Sequence, residues 1–151
     1  RYRPTPVVVR AAGGTHPADL VRVAAAGVLA GAYVSLSVAD ELPAELADAL
    51  AAADVDVEVE APGVWSARLA DLAASEALGL RVRVLGPREE TAESRWREAS
   101  RLTNGSPDIA LYTGSVTACP HTEMLVFLRE QAVAVTSHRF GTPLDLAADL
   151  L

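Results

Sequence analysis

The chain reads as an α/β fold: a Rossmann-like open, mostly parallel twisted sheet of about five to six strands with helices on both faces. Three observations predict it. Short apolar, β-branched runs recur roughly every 22 to 27 residues. A helical stretch fits between successive runs, and Gly, Pro or Asn punctuates the joins. Parallel strands need such crossover helices, which then cover the sheet.

The first strand is read in Pro6-Val7-Val8-Val9-Arg10, followed by the Gly13-Gly14 turn and by Pro17. Pro opens a helix well, because its missing N–H has no intrahelical partner there. That helix runs from Ala18 to about Ala30 and stops at Gly31, which tolerates the left-handed conformation of a helix end. Tyr33 to Val38 is the next strand, and an Ala-rich helix spans about Pro43 to Ala53. Val55-Asp56-Val57-Glu58-Val59-Glu60 alternates strictly, the period of a half-buried strand. A helix around Trp65 to Leu78 leads to a second alternating run, Arg81-Val82-Arg83-Val84-Leu85. Gly86-Pro87 then breaks the chain before a polar helix from about Arg88 to Leu102. After the loop Asn104-Gly105-Ser106-Pro107, Ile109 to Tyr112 is a strand. The remainder reads as a helical turn near Glu123 to Glu130, a strand from Ala132 to Ser137 and a short helix after Pro143. Alternating charge conflicts with a fully covered parallel sheet. Those two strands therefore lie at an edge or leave a face for a partner, and their opposite charges can pair across neighbouring strands for a few tenths of a kcal/mol.

The 151 residues fit one domain, residues 1–151, with 1–5 as a linker and 138–151 as a terminal motif and tail. Half the residues are hydrophobic and 22% charged, the balance of a globular chain. All 13 Lys+Arg residues are arginines against 20 acids, a net charge of −7. That balance argues against nucleic acid and anionic membrane as direct partners. With no lysine, the chain cannot be a phosphate-loop ATPase, a Schiff-base enzyme or a pyridoxal-phosphate enzyme. The single cysteine, Cys119, excludes an internal disulfide and a multi-cysteine zinc site, and fits a reducing cytoplasm. The chain has no apolar run of about 18 residues and no signal-like start. It begins at Arg1 with its one methionine at Met124, and is expected to be a fragment of a longer chain.

Few residues offer chemistry. Gly13-Gly14 stands where a dinucleotide pyrophosphate docks, at the end of a first strand and the opening of a helix, but the Gly-x-Gly-x-x-Gly spacing is absent, which favours a plain tight turn. His16, His121 and His138 lie far apart in sequence. Cys119-x-His121 can share a metal only with further ligands that the spacing does not supply. Cys119 as a nucleophile would need a base and an oxyanion site, so a small apolar loop residue is the better reading. Asp40, Glu41, Glu89 and Glu90 are placed at helix starts, where the dipole favours anions. Trp65 and Trp96 are read as core anchors. His138-Arg139-Phe140-Gly141-Thr142-Pro143 combines a titratable ring, a cation, an aromatic and backbone breakers, suiting either an anion or closure against another domain.

The order of these pieces resembles the cofactor-binding half of an aldehyde dehydrogenase from about Pro6 to Gly141. The resemblance rests on Pro6 to Pro17, on Val28-Leu29-Ala30-Gly31-Ala32-Tyr33-Val34-Ser35-Leu36-Ser37, and on Ile109-Ala110-Leu111-Tyr112-Thr113-Gly114-Ser115, similar to that family's Phe-Thr-Gly-Ser strand end. Measured against that resemblance, the functional positions are missing. Thr15 stands where the family has its oxyanion-stabilising asparagine, Ser37 where it has the ribose-binding lysine, and His138-Arg139-Phe140-Gly141 where it has Glu-Leu-Gly-Gly. The domain bearing the nucleophilic cysteine is absent. Gly13, Gly14, Thr113, Gly114 and Ser115 are left as vestigial cofactor-site candidates, and no catalytic or metal residue is assigned.

Arg1-Tyr2-Arg3-Pro4, Phe127-Leu128-Arg129-Glu130-Gln131-Ala132-Val133 and the 138–143 motif narrow the resemblance. They resemble the C-terminal region of actinobacterial bifunctional proline dehydrogenase and L-glutamate γ-semialdehyde (1-pyrroline-5-carboxylate) dehydrogenase, the proline utilisation A type. The resemblance implies a non-catalytic, cytoplasmic domain. It would pack on the catalytic domains of its own polypeptide and help enclose the cavity through which the intermediate passes. FAD and NAD are then expected in the parent and neither in this segment. His138, Arg139 and Phe140 are the expected docking contacts, any membrane association runs through the parent, and an oligomer is allowed. The alternative is an NAD-like nucleotide-binding or sensing module.

Overall fold

The computed structural model describes residues 1–75 and 79–133. It is an α/β fold, and its main sheet has five parallel strands. In chain order these are β2 (Val7–Ala11), β3 (Val34–Val38), β4 (Asp56–Val59), β5 (Leu80–Leu85) and β6 (Ile109–Tyr112). They lie side by side as β4-β3-β2-β5-β6. The first of them is therefore central, and the order reverses between β2 and β5. A separate antiparallel ribbon joins β1 (Tyr2–Pro4) to β7 (Leu128–Glu130). Tyr2–Pro4, in the segment read as a linker, is thus a strand. Leu128–Glu130, read as part of a helical turn, is its partner. A short helix, α5 (Pro120–Met124), and a 3-10 turn (Leu125–Phe127) precede it.

Helices α1 (Pro17–Leu29) and α2 (Ala44–Ala52) cover one face of the sheet, and α3 (Pro62–Ala74) and α4 (Ala92–Leu102) the other. The strands divide their side chains accordingly. Val7, Val9, Ala11, Val34, Leu36 and Val38 join Leu20, Val23 and Leu50 in the first core. Val82 and Val84 join Trp65, Leu69 and Ala99 in the second. Trp65 is the core anchor the sequence suggests, whereas Trp96 is 48% exposed, because its position on α4 faces away from the sheet. Asp40, Glu41, Glu89 and Glu90 precede α2 and α4 rather than starting them; Glu45 and Glu93 hold the first turns.

The charged strands resolve differently from one another. β4 is an edge strand, as its alternating carboxylates suggest. β5 is interior, separated from β4 by two strands, so Arg81 and Arg83 cannot pair with Asp56, Glu58 or Glu60. Arg68 of α3 binds Glu58 and Glu60 instead, at 3.2 and 2.7 Å. Arg81 donates to the carbonyls of Val126 and Leu128, both at 2.7 Å, and so fastens the ribbon to the sheet.

The end of α1 shows why Gly31 is there. Gly31 has φ +69° and donates to Val28 O, while Ala32 donates to Gly27 O, so two terminal carbonyls are satisfied. Gly27 serves a different purpose. A Cβ at that position would collide with Val34 Cγ2 and stand 2.9 Å from Phe127 Cε1. The missing side chain is what lets the 3-10 turn seat Phe127, the largest fully buried residue, against α1 and β3.

Glycine to alanine inside a helix ordinarily stabilises by up to about 1 kcal/mol. Gly27→Ala is expected to have the opposite sign, destabilising by about 1–3 kcal/mol through overpacking. Urea unfolding, read at the midpoint, checks this.

Candidate functional site

In an open parallel sheet, ligands sit beyond the carboxyl ends of the strands where the strand order reverses. Here that point lies between β2 and β5. The crevice there has a volume of about 360 Å³ and is lined on one side by Asp19 and Arg22 of α1. Gly86, Pro87 and Arg88 after β5, with Gly114 and Ser115 after β6, line the other. Gly13 lies outside it, lining a second cavity of about 180 Å³ on the α3/α4 face. The two halves of the vestigial cofactor site therefore share an edge of the sheet but not a pocket, because β5 stands between β2 and β6.

A dinucleotide fold binds pyrophosphate with the free N–H groups at the start of its first helix. In α1 these groups are already used. Pro17 has none, Ala18 N–H donates to His16 Nδ1 at 3.2 Å, and Asp19 N–H and Leu20 N–H both donate to His16 O. The negative charge that the helix terminus favours is also supplied from within. Asp19 Oδ1 accepts from Arg22 at 2.9 Å, and Arg88 reaches across the crevice to both Asp19 oxygens at 3.2 and 3.3 Å. The Arg88 hydrogen bond holds the Asp19 carboxyl below its ordinary value. At the strand end, Gly14 turns with φ +77° beside Pro87, and Thr15 Oγ1 donates to Ala12 O.

The far wall is tied down by two buried arginines, Arg83 and Arg95. Arg95 of α4, buried, donates through Nε and Nη2 to Thr113 O and through Nη1 to Glu90 O. Thr113 Oγ1 donates to Ala92 O. Arg83, 3% exposed, donates to Gly114 O at 2.7 Å and Tyr112 O at 3.3 Å and pairs with buried Glu123 at 3.3 Å. Burial lowers the Arg83 pKa, and Glu123 opposes that shift. Glu123 Oε1 also accepts from Thr117 N–H at 2.7 Å, so one carboxylate holds the whole loop after β6. The signal for Arg83 was an arginine interrupting an apolar strand, which sequence reasoning assigned to an edge or a partner face; Arg95, on the polar helix α4, gave none. Thr113 and Gly114 are thus held as structural acceptors, and Ser115 is an exposed residue on the crevice wall.

The remaining candidates do not converge. His16 caps α1. Cys119 caps the short α5 and is exposed, its thiol held below the ordinary value by hydrogen bonds from Thr122. His121 is exposed two residues on. Among the described residues no three His, Cys, Asp or Glu side chains form a cluster able to hold a metal. His138, Arg139, Phe140, residues 134–137 of the last strand reading and the helix after Pro143 lie outside the described residues. At the start of α1 the crevice does not offer an NAD pyrophosphate the usual helix donors, since the N–H groups of Ala18, Asp19 and Leu20 are bonded to His16 and the Asp19 carboxylate stands beside them. No family model matches the chain, and comparisons with curated proteins and with solved structures give no significant match.

Removing one partner of a buried ion pair leaves an uncompensated charge. Glu123→Ala is expected to destabilise by about 3–5 kcal/mol. The double variant Arg83→Met/Glu123→Leu should lose clearly less than the two single changes combined, as a double-mutant cycle in urea can measure.

Proposed function

We propose that this chain is a non-catalytic domain with a dinucleotide-type fold, serving as an interface-forming part of a larger proline-catabolic oxidoreductase. In this reading the parent oxidises proline, by way of pyrroline-5-carboxylate and glutamate semialdehyde, to glutamate, with FAD and NAD bound in its catalytic domains. This domain packs on them and helps enclose the intermediate. The reading rests on the resemblance of the sequence to that enzyme class. The observation that carries its non-catalytic half is the start of α1, where the N–H groups of Ala18, Asp19 and Leu20 bond to His16 and the Asp19 carboxylate takes Arg22 and Arg88.

Surface features support the interface half. The ribbon β1–β7 has only two strands, too few to be stable without packing. Tyr2, Leu29 and Tyr33, at the amino-terminal end of the sheet, are large side chains left exposed. No helix of the described residues is long and apolar enough to cross a membrane. A reactive aldehyde kept from bulk water is the benefit such packing offers the parent.

The test uses the parent enzyme. Arg139→Ala is expected to slow the coupled conversion of proline to NADH more than it slows oxidation of added semialdehyde, because a loosened seal leaks intermediate. Equal loss in the two assays would contradict the enclosing role.

A further inference from the structure

Arg10 lies at the carboxyl end of β2, 3% exposed, on the α3/α4 face of the sheet. Its Nη1 donates to Ser37 Oγ at 2.7 Å and to the Glu60 carbonyl at 2.9 Å, and its guanidinium carbon stands 5.4 Å from the ring centre of Trp65. Among the described residues it forms no salt bridge: the Glu60 carboxylate is taken by Arg68. Buried cations are usually paired, because an isolated one costs several kcal/mol of lost hydration. Burial indeed lowers the Arg10 pKa, and the more distant Glu60 and Asp40 offset this.

The rest of the guanidinium is uncommitted. Nε and Nη2 make no hydrogen bond among the described residues, and neither is an orphaned atom sealed inside the core, a condition that only Arg83 Nε meets. Arg10 lines the cavity of about 180 Å³ together with Gly13, Trp65, Glu90, Arg95 and Glu98, and Nε and Nη2 are the donors it has left to offer there. Nε and Nη2 form the side edge of the guanidinium, the pair of parallel donors that matches the two oxygens of a carboxylate. The indole of Trp65, with Val84 and Leu102, supplies an apolar wall. The volume falls below the roughly 300–1,000 Å³ of drug-sized ligand pockets, so a dinucleotide is too large. Arg95, which also lines the cavity, pairs with Glu90 at 3.7 Å, so a phosphate dianion would chiefly meet the carboxylate of Glu98, which a singly charged group of small size tolerates better.

We propose that this cavity binds a small organic monocarboxylate, its two oxygens on Nε and Nη2 of Arg10 and its apolar part against Trp65. The site would give the domain a ligand of its own, separate from the packing role, and Arg10 a counter-charge in direct contact, which no described residue provides.

The test is a titration of the chain followed by the indole N–H resonances, with Trp96, exposed on α4, as the internal control. Sodium propionate is expected to shift the Trp65 resonance saturably, while propionamide, its neutral isostere, leaves it in place and inorganic phosphate acts more weakly. Arg10→Met should weaken propionate binding at least about tenfold. Should Arg10→Met fail to fold, Glu98→Gln, at the exposed rim, should tighten it by about two- to threefold through loss of a like charge. Equal shifts with propionate and propionamide, no saturation by about 100 mM, folded Arg10→Met binding as wild type, or Glu98→Gln leaving affinity unchanged would each overturn the proposal.

Discussion

A buried guanidinium must spend its donors or lose stability, and this requirement organises the carboxyl edge of the sheet. With no lysine in the chain, every cation is a rigid fork of N–H groups. Arg83 and Arg95 turn those forks on the backbone, taking the carbonyls of Tyr112, Thr113 and Gly114. The loop after β6, which would otherwise have exposed or orphaned acceptors, is thereby fixed against β5 and α4. Glu123 completes the arrangement by joining Arg83 to Thr117 N–H. Arg88, which is exposed, reaches across the crevice to Asp19 at the start of α1.

These contacts have a functional consequence. A dinucleotide fold works by leaving donors idle at the first helix and the strand ends until phosphate arrives. Here the N–H groups of Ala18, Asp19 and Leu20 at the first helix are employed within the chain, bonded to His16. A fold alone never specifies function; in this protein the start of α1 is occupied by the chain's own groups, His16, Asp19 and Arg88. What remains open lies elsewhere: an exposed ribbon and apolar side chains at the amino-terminal end of the sheet, and the small cavity beneath Arg10.

The layered α/β architecture was legible because strand and helix periods alternate cleanly, and Gly31, Pro17 and Ile109 to Tyr112 announce their roles through local chemistry. The edge position of β4 was legible too, in its alternating carboxylates. The partners of Arg81 and Arg83 were not, because strand order is a long-range property and β5 enters the sheet beside β2 after crossing over two strands. Nor could local pattern show that Leu128–Glu130 leaves helical geometry: its pairing with Tyr2–Pro4 spans nearly the whole chain. Trp96 misled because apolar neighbours at helical spacing were taken for a buried face, while Ala99 and Arg95 in fact form it. At the site, Gly13-Gly14 gave the end of the first strand but not the crevice, whose state depends on Asp19 and Arg88, 69 residues apart.

The central claim is that the phosphate position of this fold is filled by Asp19, His16 and Arg88. Calorimetric titration of the chain with NAD, at protein concentrations able to detect millimolar binding, addresses it most directly. The account predicts no saturable heat. One-to-one saturable binding would contradict it, showing that the contacts at α1 yield to a dinucleotide and that the domain is a nucleotide-binding or sensing module.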